Sequence, residues 1–213
     1  MPPPPAPFLF DLDGTLADTL ADIAASTNHV RQLAGLAPLP LATVRTLVGD
    51  GARQLLARAL AERSPTPGEL DRALASYLEH HAIACTATVV PFPGVDQGLR
   101  QLAAAGHPLA MVTNKPEQFA RRIAAHLGWS TLLPVIVGGD TLPVRKPDPE
   151  PLRHALRQLA SPTIGGTMVG DGEQDIRAGR ACGLRTIGCL YGYRPAEVMR
   201  AAGADEYWST FLG

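Results

Sequence analysis

The sequence predicts an α/β protein: a Rossmann-like parallel sheet with helices on both faces, interrupted after its first strand by a helical cap. Two observations carry this. Short apolar runs alternate with helical patterns through the second half of the chain, as a parallel sheet covered on both faces requires. The stretch from about Asp18 to Val90 breaks that rhythm, with helical periodicity and no convincing strand.

Strands are read at Pro7–Phe10, Leu109–Thr113, Val135–Val137, Thr167–Val169 and Arg185–Cys189. Helices are read between the later ones, at Val95–Ala105, Pro116–Leu127, Pro149–Leu159 and Gln174–Cys182. Pro116 and Pro149 suit a first helical turn, and Gly106, Gly128 and Gly183 suit a C-terminal stop. Inside the interruption, helical patterns cover Asp18–Leu36, Leu41–Leu47, Ala52–Arg63 and Glu69–Ala84. They are separated by "GLAPLP", "VGDG" and "SPTPG", and the chain returns to the sheet at "PFPGV". The predicted division is 1–17 with 91–213 as core, and 18–90 as cap.

Composition narrows the function classes. At 213 residues and 46% hydrophobic content the chain can bury a real core. A net charge of -1 gives no reason to expect nucleic acid or an anionic membrane, and no apolar run approaches a span of roughly 20 residues. "MPPPPAP" lacks the flank and centre of a signal peptide and reads as a polyproline II tail. Cys85, Cys182 and Cys189 fit neither a zinc site nor a disulfide framework. The expectation is a cytoplasmic protein, monomer or homodimer. The only lysines, Lys115 and Lys146, both stand before proline.

In open α/β sheets, ligands bind outside the carboxyl ends of the strands. There the chain places Asp11 and Asp13, then Thr113 and Asn114, then Lys146, and finally Asp171 and Asp175. If the backbone of "DLD" stays extended, Asp11 and Asp13 face the same side, roughly 6–7 Å apart. One carboxylate can then attack while the other handles the leaving-group proton. Gly14 permits a turn behind them, and the Thr15 hydroxyl can fix it. With Asp11, Asp171 and Asp175 ionised and Asp13 protonated, the rim carries about -3, each pair at about 4 Å repelling by roughly 4 kcal/mol at an effective dielectric near 20. A divalent cation and one ammonium bring it near neutrality. An all-oxygen donor set with few protein contacts suits Mg²⁺.

In order, "FDLDGTL", "VTN", "KP" and "VGDGEQDI" resemble the four motifs of the haloacid dehalogenase-like hydrolases, and the resemblance covers nearly the whole chain. Within that group "VRTLVGDGARQLL", "GGDTLPVRKPDPEPL" and "YGY" look most like the phosphoglycolate phosphatases. The resemblance implies an Mg²⁺-dependent phosphomonoesterase acting on a small phosphorylated metabolite, 2-phosphoglycolate in the first instance. It makes Asp11 the nucleophile, Asp13 the general acid and then base, and Lys146 the partner of nucleophile and phosphate. Thr113 and the Asn114 amide hold phosphate oxygens, with Gly14 beside them. Asp11, Asp171 and the Asp13 carbonyl hold the metal, with Asp175 a ligand or an anchor behind it. Gly172 and Thr19 depart from the serines usual in the family. The rival readings are a phosphatase for a sugar phosphate, nucleotide or pyrophosphate, a capped phosphomutase, and a non-enzymatic metabolite-binding module.

Outside the motifs, Arg45 either clamps a substrate carboxylate or lies on a helix surface. Lys115 is either a surface charge or an edge of the substrate site. His80 and His81 do not share a helix face and are read as surface residues. Trp129 and Trp208 are read as packing residues.

Overall fold

The computed structural model describes residues 5–160 and 165–213. The first four residues of the polyproline reading lie outside them.

The core opens with β1 (Phe8–Phe10) and β2 (Ala17–Asp18). Four cap helices follow: α1 (Leu20–Leu33), α2 (Leu41–Leu47), α3 (Ala52–Ala59) and α4 (Pro67–Ala84). Then come β3 (Val90–Pro91), α5 (Val95–Ala104), β4 (Leu109–Val112), α6 (Glu117–His126), β5 (Val135–Val137) and α7 (Glu150–Gln158). The chain ends through β6 (Thr167–Gly170), α8 (Glu173–Ala181), β7 (Arg185–Cys189), α9 (Ala196–Ala202) and β8 (Glu206–Trp208). The main sheet has the order β5-β4-β1-β6-β7-β8, and every pairing in it is parallel.

Pleating sends successive residues of β1 to opposite faces. Phe10 packs with Met111, Ile123, Trp129 and Trp208 on one side. Leu9 packs with Val112, Leu152, Met168 and Ala178 on the other. Both tryptophans are packing residues, as expected. Register then positions the site: Phe10 lies opposite both Met111 and Val169, so the chain leaves β1, β4 and β6 at one level.

The cap has its own apolar centre around Ile23, Val44, Leu55, Leu56 and Tyr77. α4 is launched by a reciprocal cap: Thr66 N–H donates to Glu69 at 2.8 Å, and Glu69 N–H returns to the Thr66 hydroxyl at 3.4 Å. Cap and core are joined by a ribbon, Ala17 opposite Pro91 and Asp18 opposite Val90. Asp18 therefore belongs to that ribbon, and α1 starts only at Leu20. Residues 52–63 are α3 plus a single 3₁₀ turn at Ala61–Arg63 rather than one helix.

The ribbon, α9 and β8 are absent from the sequence reading. Each is a few residues long, too short to display a period, and gains its regularity from the neighbour it packs against. All three cysteines are buried and free. No helix among the described residues is long and apolar enough to cross a membrane.

Candidate active site

Asp11 leaves β1 with its N–H donated to the Val169 carbonyl at 2.9 Å, which ties the β1 exit to β6. Asp171 follows β6 directly. Gly14, at φ +83°, carries the turn that brings these two loops together. A Cβ there would sit 2.2 Å from Asp171 Oδ2, so the residue must be glycine for steric as well as torsional reasons. Gly192 packs against the same residue, where a Cβ would lie 2.3 Å from the Asp171 Cβ and 2.4 Å from the Gly14 carbonyl oxygen. The Gly14 N–H is itself donated to the Ala17 carbonyl at 3.1 Å, and so is committed to the turn rather than offered to a phosphate.

Asp11, Asp171 and Asp175 are buried, and each offers an oxygen within 4.8 Å of the others. Burial, then the charges of Asp11 and Asp175, push the Asp171 carboxyl up to about 8. Asp175 is raised too, chiefly by burial. Crowded buried carboxylates of this kind fit a hard divalent cation with oxygen ligands. Asp171 is steadied by the Tyr193 N–H at 2.7 Å and by the Thr15 hydroxyl at 3.4 Å. That hydroxyl thus serves the neighbouring loop, not its own turn.

Lys146, 2% exposed, answers part of this charge. Its Nζ lies 3.0 Å from Asp11 Oδ1 and 2.6 Å from Asp175 Oδ1, and donates to the Val112 carbonyl at 2.6 Å. The carbonyl takes a hydrogen bond, and the two carboxylates are ion-paired to the same ammonium. Burial alone would lower the ammonium's pKa, but the two carboxylates outweigh it and raise it. The second oxygen of Asp175 accepts the Gly172 N–H at 3.0 Å. Gly172 has no side chain, and a Cβ there would fall 2.1 Å from Gln174 Nε2, so the Gln174 amide takes up the space a side chain at 172 would need.

Asp13 faces the same cavity beside Asp11. Its Oδ1 accepts from the Lys115 ammonium at 3.1 Å and from the Thr19 hydroxyl at 2.5 Å. The structure therefore decides between the two readings of Lys115: it is a buried site residue paired to Asp13. Asp11, Asp171 and Asp175 against the Lys146 ammonium leave a charge that one divalent cation balances. Thr19 N–H donates in turn to the Tyr193 hydroxyl at 2.7 Å, and that hydroxyl donates to Asp18 at 2.9 Å.

The sequence-predicted residues are only partly brought together. Thr113 lines the cavity, with its hydroxyl accepting the Lys115 N–H at 3.2 Å. Asn114 lines it too, but its side-chain amide is spent on the Gly49 carbonyl at 2.9 Å and the Lys146 carbonyl at 3.0 Å. It bridges the cap loop to the core. Arg45 does not line the cavity: its guanidinium donates to the carbonyls of Tyr193 at 2.9 Å and Gly192 at 2.5 Å. It lies exposed on α2, as the surface reading had it, and from there it latches the cap to the loop that holds Asp171. Arg194 makes the reverse reach, donating to the carbonyls of Thr46 and Val48 at 3.0 and 2.9 Å.

His81 corrects a second reading. It is 1% exposed, not a surface residue, and lines the cavity with Tyr77, Leu55 and Ile23 from the cap. Adjacent helix positions point about 100° apart, so one member of a pair can be half-exposed while the next is buried. The cavity leaves about 40 Å³ free, room on the order of three water molecules. Thr19, Tyr193 and His81 escaped the sequence reading as site residues. "YGY" and the threonine in a serine position were the only signals for the first two, and nothing local marks His81.

Comparison with known proteins finds the same pattern. Residues 8–189 match the family model of the haloacid dehalogenase-like hydrolases. A phosphoglycolate phosphatase of Psychrobacter arcticus is 37% identical over 209 residues, spanning 95% of this chain and 91% of that protein. A plasmid-encoded phosphoglycolate phosphatase of Cupriavidus necator is 40% identical over 199 residues, spanning 92% and 86%. Among solved structures, a predicted phosphoglycolate phosphatase from Haemophilus somnus superposes with a TM-score of 0.89 at 28% identity, over 97% of this chain and 95% of that one. CbbY from Rhodobacter sphaeroides, in complex with phosphate, gives 0.81 at 26% identity, over 96% and 93%.

Proposed function

The chain belongs to the haloacid dehalogenase-like hydrolase family and is a phosphatase, and from that premise we propose an Mg²⁺-dependent hydrolysis of 2-phosphoglycolate to glycolate and phosphate through an aspartyl-phosphate. One observation carries the reading: Asp11 and Asp13 open onto a single cavity, with Lys146 holding one oxygen of Asp11 from behind. The other Asp11 oxygen attacks phosphorus, and the ester P–O bond breaks toward the glycolate oxygen. Asp13 gives that oxygen its proton, then takes one from the water that hydrolyses the acyl phosphate. Lys115 and Thr19 hold the Asp13 carboxyl in place for both transfers.

Asp11, Asp171 and the Asp13 carbonyl would hold the Mg²⁺. Asp175, with one oxygen on Lys146 and the other on the Gly172 N–H, anchors the set. The bound ion supplies positive charge that lets a phosphate dianion approach a carboxylate-lined rim. Residues 18–90 act as the cap, closing over the rim to exclude water and limit substrate size. Two related phosphoglycolate phosphatases support the choice of substrate. The protein acts on this small metabolite as a monomer or homodimer, without nucleic acid or membrane.

The test is phosphate release from a panel of phosphometabolites with Mg²⁺, repeated with chelator and with Asp11→Asn. Activity is expected on 2-phosphoglycolate, lost with chelator and in the variant. Near-normal turnover by Asp11→Asn would exclude the mechanism.

A further inference from the structure

A substrate that carries a carboxylate calls for a cation at its non-phosphate end, and the cavity offers one. Among the described residues that line it, Lys115 brings the sole ammonium or guanidinium group. Arg45, Arg145, Lys146 and Arg194 do not line it. Arg45 and Arg194 are spent on backbone carbonyls, and Lys146 on Asp11, Asp175 and the Val112 carbonyl. The cap lines the cavity mainly with apolar groups, Ile23, Val48 and Leu55 among them.

The Lys115 side chain is 3% exposed, and its Nζ lies 3.1 and 3.4 Å from the two oxygens of Asp13. An ammonium has three N–H groups. One carboxyl group takes at most two of them, and the remaining N–H has no acceptor among the described residues. A buried charged donor left this way is costly, so it points to an acceptor that arrives with the ligand. The charge reaches toward the cap: after burial it is the next cause that lowers the His81 ring, which lines the same cavity from α4. Position supplies the rest. Asp13 gives its proton to the ester oxygen, which requires an approach of about 2.6–3.2 Å, and Lys115 Nζ sits one hydrogen-bond length from that same carboxyl group. In 2-phosphoglycolate a single methylene joins the ester oxygen to the carboxyl carbon. The acid group is therefore delivered beside Asp13, where the ammonium stands.

We infer that Lys115 receives the substrate's carboxylate on the N–H that Asp13 leaves free, so that the cavity selects phosphoesters with an acid group on the carbon bearing the ester oxygen. This rests on the phosphatase reading above and deepens it. One ammonium both holds the general acid and reads the leaving group.

The experiment compares kcat/KM for 2-phosphoglycolate with that for ethyl phosphate, in which a methyl group replaces the carboxylate. Lys115→Met keeps most of the side chain and removes the charge. Both substrates should slow, because Asp13 loses a partner. The ratio of the two kcat/KM values should fall as well, by roughly 10–100-fold, the range for a hydrogen bond to a charged group. Lys115→Gln keeps an N–H without the charge, with an expected fall in the ratio of about three- to tenfold. It carries the test if Lys115→Met does not fold. Thr19→Ala loosens Asp13 from its other partner and should slow both substrates with the ratio unchanged. A cation that serves only Asp13 or the phosphate would slow both substrates alike, so an unchanged ratio in either folded Lys115 variant would overturn the inference. An equal fall of the ratio in Thr19→Ala would overturn it too, since the ratio would then report on Asp13. If the wild-type protein shows no preference for the acid substrate, the substrate reading falls first, and this inference with it.

Discussion

Replacing Asp171 with Asn tests the electrostatics of the rim without touching a reacting group. Asp171 is raised from 3.8 to about 8 by burial and by its neighbours Asp11 and Asp175. Between those values the folded, metal-free protein keeps a proton that the unfolded chain has lost. Stability therefore falls as pH rises, at about 1.4 kcal/mol per pH unit for one group. From pH 5.5 to 7.5 that is roughly 2.5 kcal/mol, or a fall in Tm of roughly 5–10 °C for a chain of this size. His81 works in the opposite direction, because a ring depressed to about 2 stabilises the fold as pH rises toward the unfolded value near 6.5. Asp175 titrates in both proteins. The quantity to measure is therefore the difference between wild type and Asp171→Asn, from thermal melts in EDTA at each pH. The expected difference shifts against the wild type by the amount above across the window. Saturating Mg²⁺, which favours the ionised carboxylate in the folded state, should abolish that shift. A difference that stays flat in EDTA would refute the argument that crowded carboxylates create the demand for a metal.

Further outcomes follow from the same contacts. Lys146→Met leaves Asp11 and Asp175 buried without their cation, so calorimetry at pH 7.5 should show a loss of about 3–5 kcal/mol. Protonation of Asp175, raised to about 7 chiefly by burial, should shrink that loss at pH 5. Gly14→Ala places a methyl group 2.2 Å from Asp171 Oδ2 at a φ of +83°. Turnover is expected to fall at least about 100-fold, since displacements of about 1 Å at a reacting site cost that much, and a Mg²⁺ titration should show weaker binding. Arg45→Ala removes the two donations to the loop after β7. KM for 2-phosphoglycolate should rise by up to about tenfold with stability changed by about 1 kcal/mol or less; a loss beyond 100-fold would restore Arg45 as a substrate clamp.

The amino-acid sequence by itself determined the layered α/β core, the helical interruption and the acids and lysines that meet at the rim. Period, glycine and proline placement, and the acids that end the apolar runs are all local features, and local features are what a sequence displays. It also singled out both lysines by their rarity. What each polar group does with its hydrogen bonds was decided only by tertiary packing. The Asn114 amide, the Gly14 N–H and the Arg45 guanidinium look available in the sequence, yet each is occupied by a carbonyl. For Asn114 and Arg45 that carbonyl lies across the cap–core boundary. Lys115 finds Asp13 from 102 residues away, and His81 enters the cavity because α4 packs on α1 beside Ser26. Such pairings depend on which surfaces the sheet register and the two-strand ribbon bring face to face, and no window along the chain contains both partners.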